Sequence, residues 1–279
     1  MSGTTRLSFS TSRRSVCISV IVLLVALSLF ASACGSSGTS GSSTSASGPR
    51  VELVVSAAAD LSPVLEELVP VFEKQTGMTV KTNIGSTGQL TEQITAGAKV
   101  DVFLAASKAA VDQLAAKSLL VAGSEQQYAR GRLVLWTRPG SKVTAKNLQD
   151  LTNVDVKRVS LANPDHAPYG QAAKQALQSA GLWDQLQPKL VPAENVLQAF
   201  QFASTGNTDV ALVALSLVAE EKGTYTLVPE ELHQPINQTL AIPASSTHQE
   251  QAKEFVAFLT GGRGRDILKK YGFTLPDGG

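Results

Sequence analysis

The sequence predicts an α/β protein with mixed, largely parallel sheets, and two patterns carry that expectation. From Val51 onward, short apolar runs rich in β-branched residues alternate with longer stretches whose apolar residues recur at helical spacing, and glycines stand where several of those stretches stop. Strand–helix–strand order of this kind builds parallel strands joined by right-handed crossovers. The 279 residues, 43% hydrophobic and 17% charged, exclude a disordered chain. They suffice for a sizeable core and, at about 150 residues per domain, for two domains.

The N-terminus comes first. Arg6, Arg13 and Arg14 stand without an acid, an apolar run extends from Val16 to Ala31, and Ala31-Ser32-Ala33-Cys34 follows, so residues 1–33 read as an export signal. The run is shorter than the roughly twenty residues needed for a permanent membrane helix. Small residues before Cys34 resemble a bacterial lipobox, in which the cysteine is lipid-modified and leads the mature protein. Ala31 stands where that pattern usually has Leu, and ordinary cleavage beside an incidental cysteine is the alternative. Residues 34–49 are dominated by Gly, Ser, Thr and Ala and read as a flexible tether. Loss of residues 1–33 would remove three of the 24 basic residues and none of the 23 acidic ones, leaving a net charge near −2.

In the remainder, Val51–Val55 reads as a strand. Leu61, Val64, Leu65, Leu68, Val69 and Phe72 then mark a helix that stops at Gly77. Further strands are expected at 79–84, 100–105, 132–137, 159–162, 210–214 and 238–242. Helices are expected at 90–96, 109–117, 171–180, 196–204, 249–259 and 263–271, three of them followed by Gly181, Gly206 and Gly272.

Several chemistries find no seat in this pattern. Near-balanced charge argues against nucleic-acid binding by bulk positive charge. Both cysteines, Cys17 and Cys34, precede residue 35, and His166, His233 and His248 are spaced 67 and 15 apart, which argues against a disulfide framework, thiolate sites and zinc. No GxSxG or GxGxxG occurs, and Gln89 stands where a phosphate-binding loop would place Lys. Asp60 and Asp101 are isolated carboxylates, better suited to capping or loop anchoring than to acid–base work. His166, beside Asp165, reads as a surface or capping residue, and Trp136, Trp183, Phe200 and Phe202 as packing.

The informative positions are the handovers from strand to helix. Ala58-Ala59-Asp60, Gly85-Ser86-Thr87-Gly88, Ala167-Pro168-Tyr169-Gly170 and Ala193-Glu194-Asn195-Val196 each place small or polar residues at a helix start. The first turn of a helix leaves N–H groups without intrahelical partners and carries partial positive charge, so it can hold an anion without a cationic side chain. Each segment alone is better explained by ordinary capping.

Together these stretches, with Gly97-Ala-Lys-Val-Asp-Val-Phe-Leu104, Gly131-Arg-Leu-Val-Leu-Trp136, Asn163-Pro-Asp-His-Ala-Pro-Tyr-Gly170 and Lys270-Tyr-Gly-Phe273, resemble the periplasmic molybdate-binding proteins of ATP-driven transporters, within the type II solute-binding proteins. The resemblance spans about Val51 to Leu275. It implies a two-lobed fold with a hinge: lobe 1 at about 50–130 and 234–279, lobe 2 at about 131–233, and crossings near Tyr128–Arg132 and Pro229–Pro235. It further implies no catalysis and no cofactor. The expected protein is a monomeric binding protein that captures molybdate or tungstate and delivers it to an ABC permease, held to the outer face of a bacterial membrane through lipidated Cys34. Carried over by motif, the oxyanion-binding positions are Ala59, Asp60, Ser86, Thr87, Tyr169 (through its backbone N–H) and Val196, and no residue is a direct metal ligand.

Two positions depart from the family pattern. Asp60 stands where many members have Ser or Asn; its ionised carboxylate cannot donate and would repel a dianion, so it is expected to contribute its N–H while the carboxylate turns away to cap the helix or meet a neighbour. Ala214 stands where some members supply a Tyr hydroxyl. The rival readings are a receptor of the same fold for sulfate, phosphate or another oxyanion, a secreted enzyme using the interlobe cleft, and a ligandless scaffold.

Overall fold

The computed structural model describes residues 50–276. The expected export signal, tether and lipidated Cys34 lie outside the described residues. In the first lobe, β1 (Glu52–Ala58) passes through a 3-10 turn at Ala59–Leu61 into α1 (Ser62–Thr76), β2 (Thr79–Gly85) into α2 (Thr87–Thr95), and β3 (Val102–Ala105) into α3 (Lys108–Ala116), before β4 (Gln126–Gly131). The second lobe contains β5 (Leu133–Thr137), β6 (Val159–Ala162), α4 (Pro168–Ser179), α5 (Trp183–Leu186), β7 (Leu190–Ala193), α6 (Val196–Ser204), β8 (Val210–Ala214) and β9 (Thr224–Leu227). The chain then returns through β10 (Ile236–Ala241), α7 (Gln249–Thr260) and α8 (Gly262–Lys270).

Two five-stranded sheets result, ordered β2-β1-β3-β10-β4 and β7-β6-β8-β5-β9. They are mixed, with β1, β2 and β3 parallel in one and β6, β7 and β8 parallel in the other. The remaining pairings, β10 with β3 and β4, and β5 with β8 and β9, are antiparallel. Four of the five strands in each sheet share one direction, as the alternation of elements predicts. The parallel strands are those followed or joined by crossover helices, whereas β10 in the first sheet and β5 in the second run against them, and β4 and β9 pair antiparallel with those two reversed strands.

Burial explains why each element folds as it does. In β3, Val102 and Leu104 face a cluster containing Leu68 and Phe72 of α1, Phe255 of α7 and Leu268 of α8. Phe103 and Ala105 face the opposite cluster, with Leu90 and Ile94 of α2 and Val111 and Leu114 of α3. Successive strand side chains point to opposite faces, so a strand buried on both sides reads as an unbroken apolar run. Phe72 and Phe255 meet edge-on with ring centroids 5.1 Å apart. α1 and α8 stop at Gly77 and Gly272, whose φ values of 76° and 79° are accessible to glycine at little cost.

Four local expectations need correction. α2 starts at Thr87 rather than Leu90, because Ser86 caps it by accepting the Gln89 N–H at 3.4 Å while the first turn has no apolar periodicity. β4 is absent from the sequence pattern because Gln126-Gln127-Tyr128-Ala129-Arg130-Gly131 is largely polar; it is held by β10 and by reciprocal backbone bonds between Arg130 and Thr274. β7 carries Pro192, tolerated because β7 is an edge strand. β9 is a four-residue edge strand on the other side of the same sheet.

Candidate functional site

The ends of β1, β2, β6 and β7 converge on one small cavity between the two sheets. Two of the contributing segments, 58–60 and 85–87, belong to the first sheet's strands, and two, 167–169 and 195–196, follow strands of the second. All six candidate residues line it: Ala59, Asp60, Ser86, Thr87, Tyr169 and Val196. The lining also includes Ala106 and Asn195, which the sequence did not single out as site residues, and among the described residues it includes no Lys, Arg or His. Ligands of open parallel sheets bind at these carboxyl ends of strands, where helices begin.

The donors follow from local geometry. α2, α4 and α6 point their first turns at the cavity, so N–H groups such as those of Tyr169 and Val196 lack intrahelical partners. Asn195 caps α6 by accepting the Gln198 N–H at 3.0 Å. Thr87 Oγ1 accepts the Ala106 N–H at 3.0 Å, which leaves the Thr87 O–H as a donor. Ser86 is more committed: its Oγ caps α2 and lies 2.8 Å from His166 Nδ1.

Asp60 is wholly buried. Its Oδ2 accepts from the Tyr169 hydroxyl at 3.1 Å and from Gln238 Nε2 at 2.5 Å, while its backbone carbonyl accepts from Ser216 Oγ at 2.7 Å. The carboxylate therefore meets neighbours, and the Tyr169 hydroxyl is occupied by Asp60. Burial pushes the Asp60 carboxyl from 3.8 up to about 7, against the opposing influence of these hydrogen bonds. Burial first, and the Asp60 charge second, push the Tyr169 and Tyr128 phenols upward. Ala214 is buried at the end of β8 and is not part of the cavity lining.

The lobes are closed over this cavity. The Gly88 N–H donates to the His166 carbonyl at 2.8 Å, and Gln89 Nε2 donates to Glu194 Oε2 at 2.7 Å. His166 thus joins the two lobes at the cavity rim, a role its sequence position beside Asp165 does not reveal. Gln238 is the other residue missed; it sits between Asn237 and Thr239 in β10, so its sequence neighbours give no sign that it is fully buried. Asp101 is a loop anchor, its oxygens accepting from the Val54 N–H at 2.8 Å and from Ser246 Oγ at 2.7 Å.

Comparison with known proteins agrees with this architecture. Residues 53–274 match the family model described as bacterial extracellular solute-binding protein. The molybdate-binding protein ModA of Rhodobacter capsulatus is 34% identical over 223 residues, covering 80% of this chain and 88% of that one. ModA of Azotobacter vinelandii is 36% identical over 228 residues, covering 80% and 90%. The solved periplasmic molybdate-binding protein of Azotobacter vinelandii superposes with a TM-score of 0.76 at 33% identity, covering 81% of this chain and all of that one. The chain belongs to the bacterial extracellular solute-binding protein family.

Proposed function

We propose that the interlobe cavity captures a tetrahedral oxyanion, molybdate or tungstate, and that the protein delivers it to an ABC permease from the outer face of a bacterial membrane, tethered by lipidated Cys34 and working as a monomer. The observation that carries this reading is the convergence of helix starts from both lobes on one small cavity that offers backbone and hydroxyl donors and, among the described residues, no cationic side chain. Helix N-termini hold anions through directed N–H groups. Donors fixed in a closed cavity distinguish dianions of equal charge by oxygen-to-oxygen distance. A ligand touching both lobes shifts the protein toward the closed form by its differential affinity for that form. The names of the relatives support molybdate as the cargo.

The test is thermal unfolding with molybdate, tungstate, sulfate and phosphate at matched ionic strength. Ligand at about a hundred times its dissociation constant adds about 2.7 kcal/mol, a rise in Tm of several degrees. A rise with molybdate and tungstate alone is the expected result; a rise with sulfate or phosphate instead would change the cargo, and no rise with any would defeat the reading. Within the same assay, Thr87→Ala should weaken binding by about 0.5–1.5 kcal/mol, the loss of one neutral hydrogen bond, or more where the anion's charge strengthens it. Unaltered affinity would remove Thr87 from the donor set.

A further inference from the structure

Among the described residues Asp60 is the only acidic one lining the cavity, and no cationic side chain lines it. Its two side-chain donors, the Tyr169 hydroxyl of α4 and Gln238 Nε2 of β10, converge on Oδ2. Oδ1 is buried, and among the described residues it has no hydrogen-bond partner. The remaining groups facing it are the Tyr128 phenol of β4 and Ser216, which follows β8 and donates to the Asp60 carbonyl. Among the described residues no Lys, Arg or His hydrogen-bonds or ion-pairs with Asp60. A dianion brought into this space meets a like charge in a poorly solvated setting, and like charges at close range favour protonation of one partner.

We propose that Asp60 takes up one proton from solvent as the oxyanion binds, and that the carboxyl O–H so formed donates from Oδ1 to an anion oxygen, making capture proton-coupled. This rests on the oxyanion reading of the cavity and adds a role for the residue that departs from the Ser or Asn expected there. The step is a protonation without change of oxidation state: buffer or water gives up the proton, Oδ1 gains it, and the anion stays unprotonated. Burial already holds the free carboxyl at about 7, so the proton is available near neutrality. The bound dianion raises its proton affinity further. Affinity then falls as pH rises above neutrality, approaching tenfold per pH unit where free Asp60 is ionised and bound Asp60 is not.

Isothermal titration of the protein with sodium molybdate, in pairs of buffers with different ionisation enthalpies, counts the protons directly. The expected result is about one proton taken up per anion at pH 8, falling towards none at pH 6, because free Asp60 is already protonated there. Asp60→Asn, which keeps a donor without a proton to gain, should show no uptake at either pH and an affinity that no longer declines with pH. Molybdate binding at pH 8 without proton uptake would overturn the proposal, as would uptake that persists in Asp60→Asn. The proton count of the unsubstituted protein decides the matter even where the variant fails to fold. Failure of every oxyanion to bind at any pH would remove the cavity reading and this proposal with it, a result plainly different from binding without protons.

Discussion

Asp60→Asn is expected to stabilise the folded protein at pH 8 by about 2–4 kcal/mol in the absence of ligand and to change its stability little at pH 4. The folded carboxyl keeps its proton up to about pH 7, whereas the unfolded chain loses it near its ordinary value of 3.8. Between those values the native state binds more protons than the unfolded state, so stability declines as pH rises through the window and remains low above it. The gap corresponds to at most about 4 kcal/mol. Asn retains a carbonyl to accept from Tyr169 or Gln238, and it has no charge to bury. Chemical denaturation of both proteins between pH 4 and 8 measures the difference. A gap that does not widen with pH would show that the Asp60 carboxyl is not held neutral by its surroundings, and a variant less stable at pH 8 would show that its hydrogen bonds outweigh its burial.

This residue also marks the boundary of what the sequence makes legible. The helices other than the four-residue α5 were readable because amphipathic spacing and closing glycines act locally: Leu61 to Phe72 face one core, and Gly77 stops the turn. The strand-to-helix handovers were readable for the same reason, since small residues and caps at 58–60, 85–88, 167–170 and 193–196 are local features of chain reversal. β4, β7 and β9 were not, because their strand character comes from partners distant in sequence: Ile236 pairs with Gly131, Val159 with Leu190, and Val134 with Leu227. Asp60 could be identified as a departure from family pattern, but its partners are 109 and 178 residues away in sequence, on α4 and β10. Likewise the contact of His166 with Ser86 exists only once the lobes meet. Local chemistry is encoded locally, and closure is not.

Closure can be separated from folding with two glycine substitutions that look alike on paper. Gly88→Ala is expected to lower anion affinity by roughly 10- to 100-fold, with a much smaller effect on the stability of the ligand-free protein. A Cβ at Gly88 would lie 2.6 Å from the His166 carbonyl oxygen and 2.9 Å from its Cβ, and His166 belongs to the opposite lobe. Overpacking of this kind costs about 1–3 kcal/mol. An open form escapes the clash, so the cost falls on the closed, ligand-binding form alone and appears as lost affinity. Gly170→Ala places its Cβ against the Ala162 carbonyl, at the end of β6 in the same lobe as α4, where no hinge motion relieves it. That substitution should cost about 3 kcal/mol or more of folding stability. Titration calorimetry and denaturant unfolding on both variants give a two-by-two outcome. Equal losses of affinity and stability at Gly88 would mean that the lobes form one rigid body, and that the cavity opens by some route other than separation at the Gly88–His166 contact.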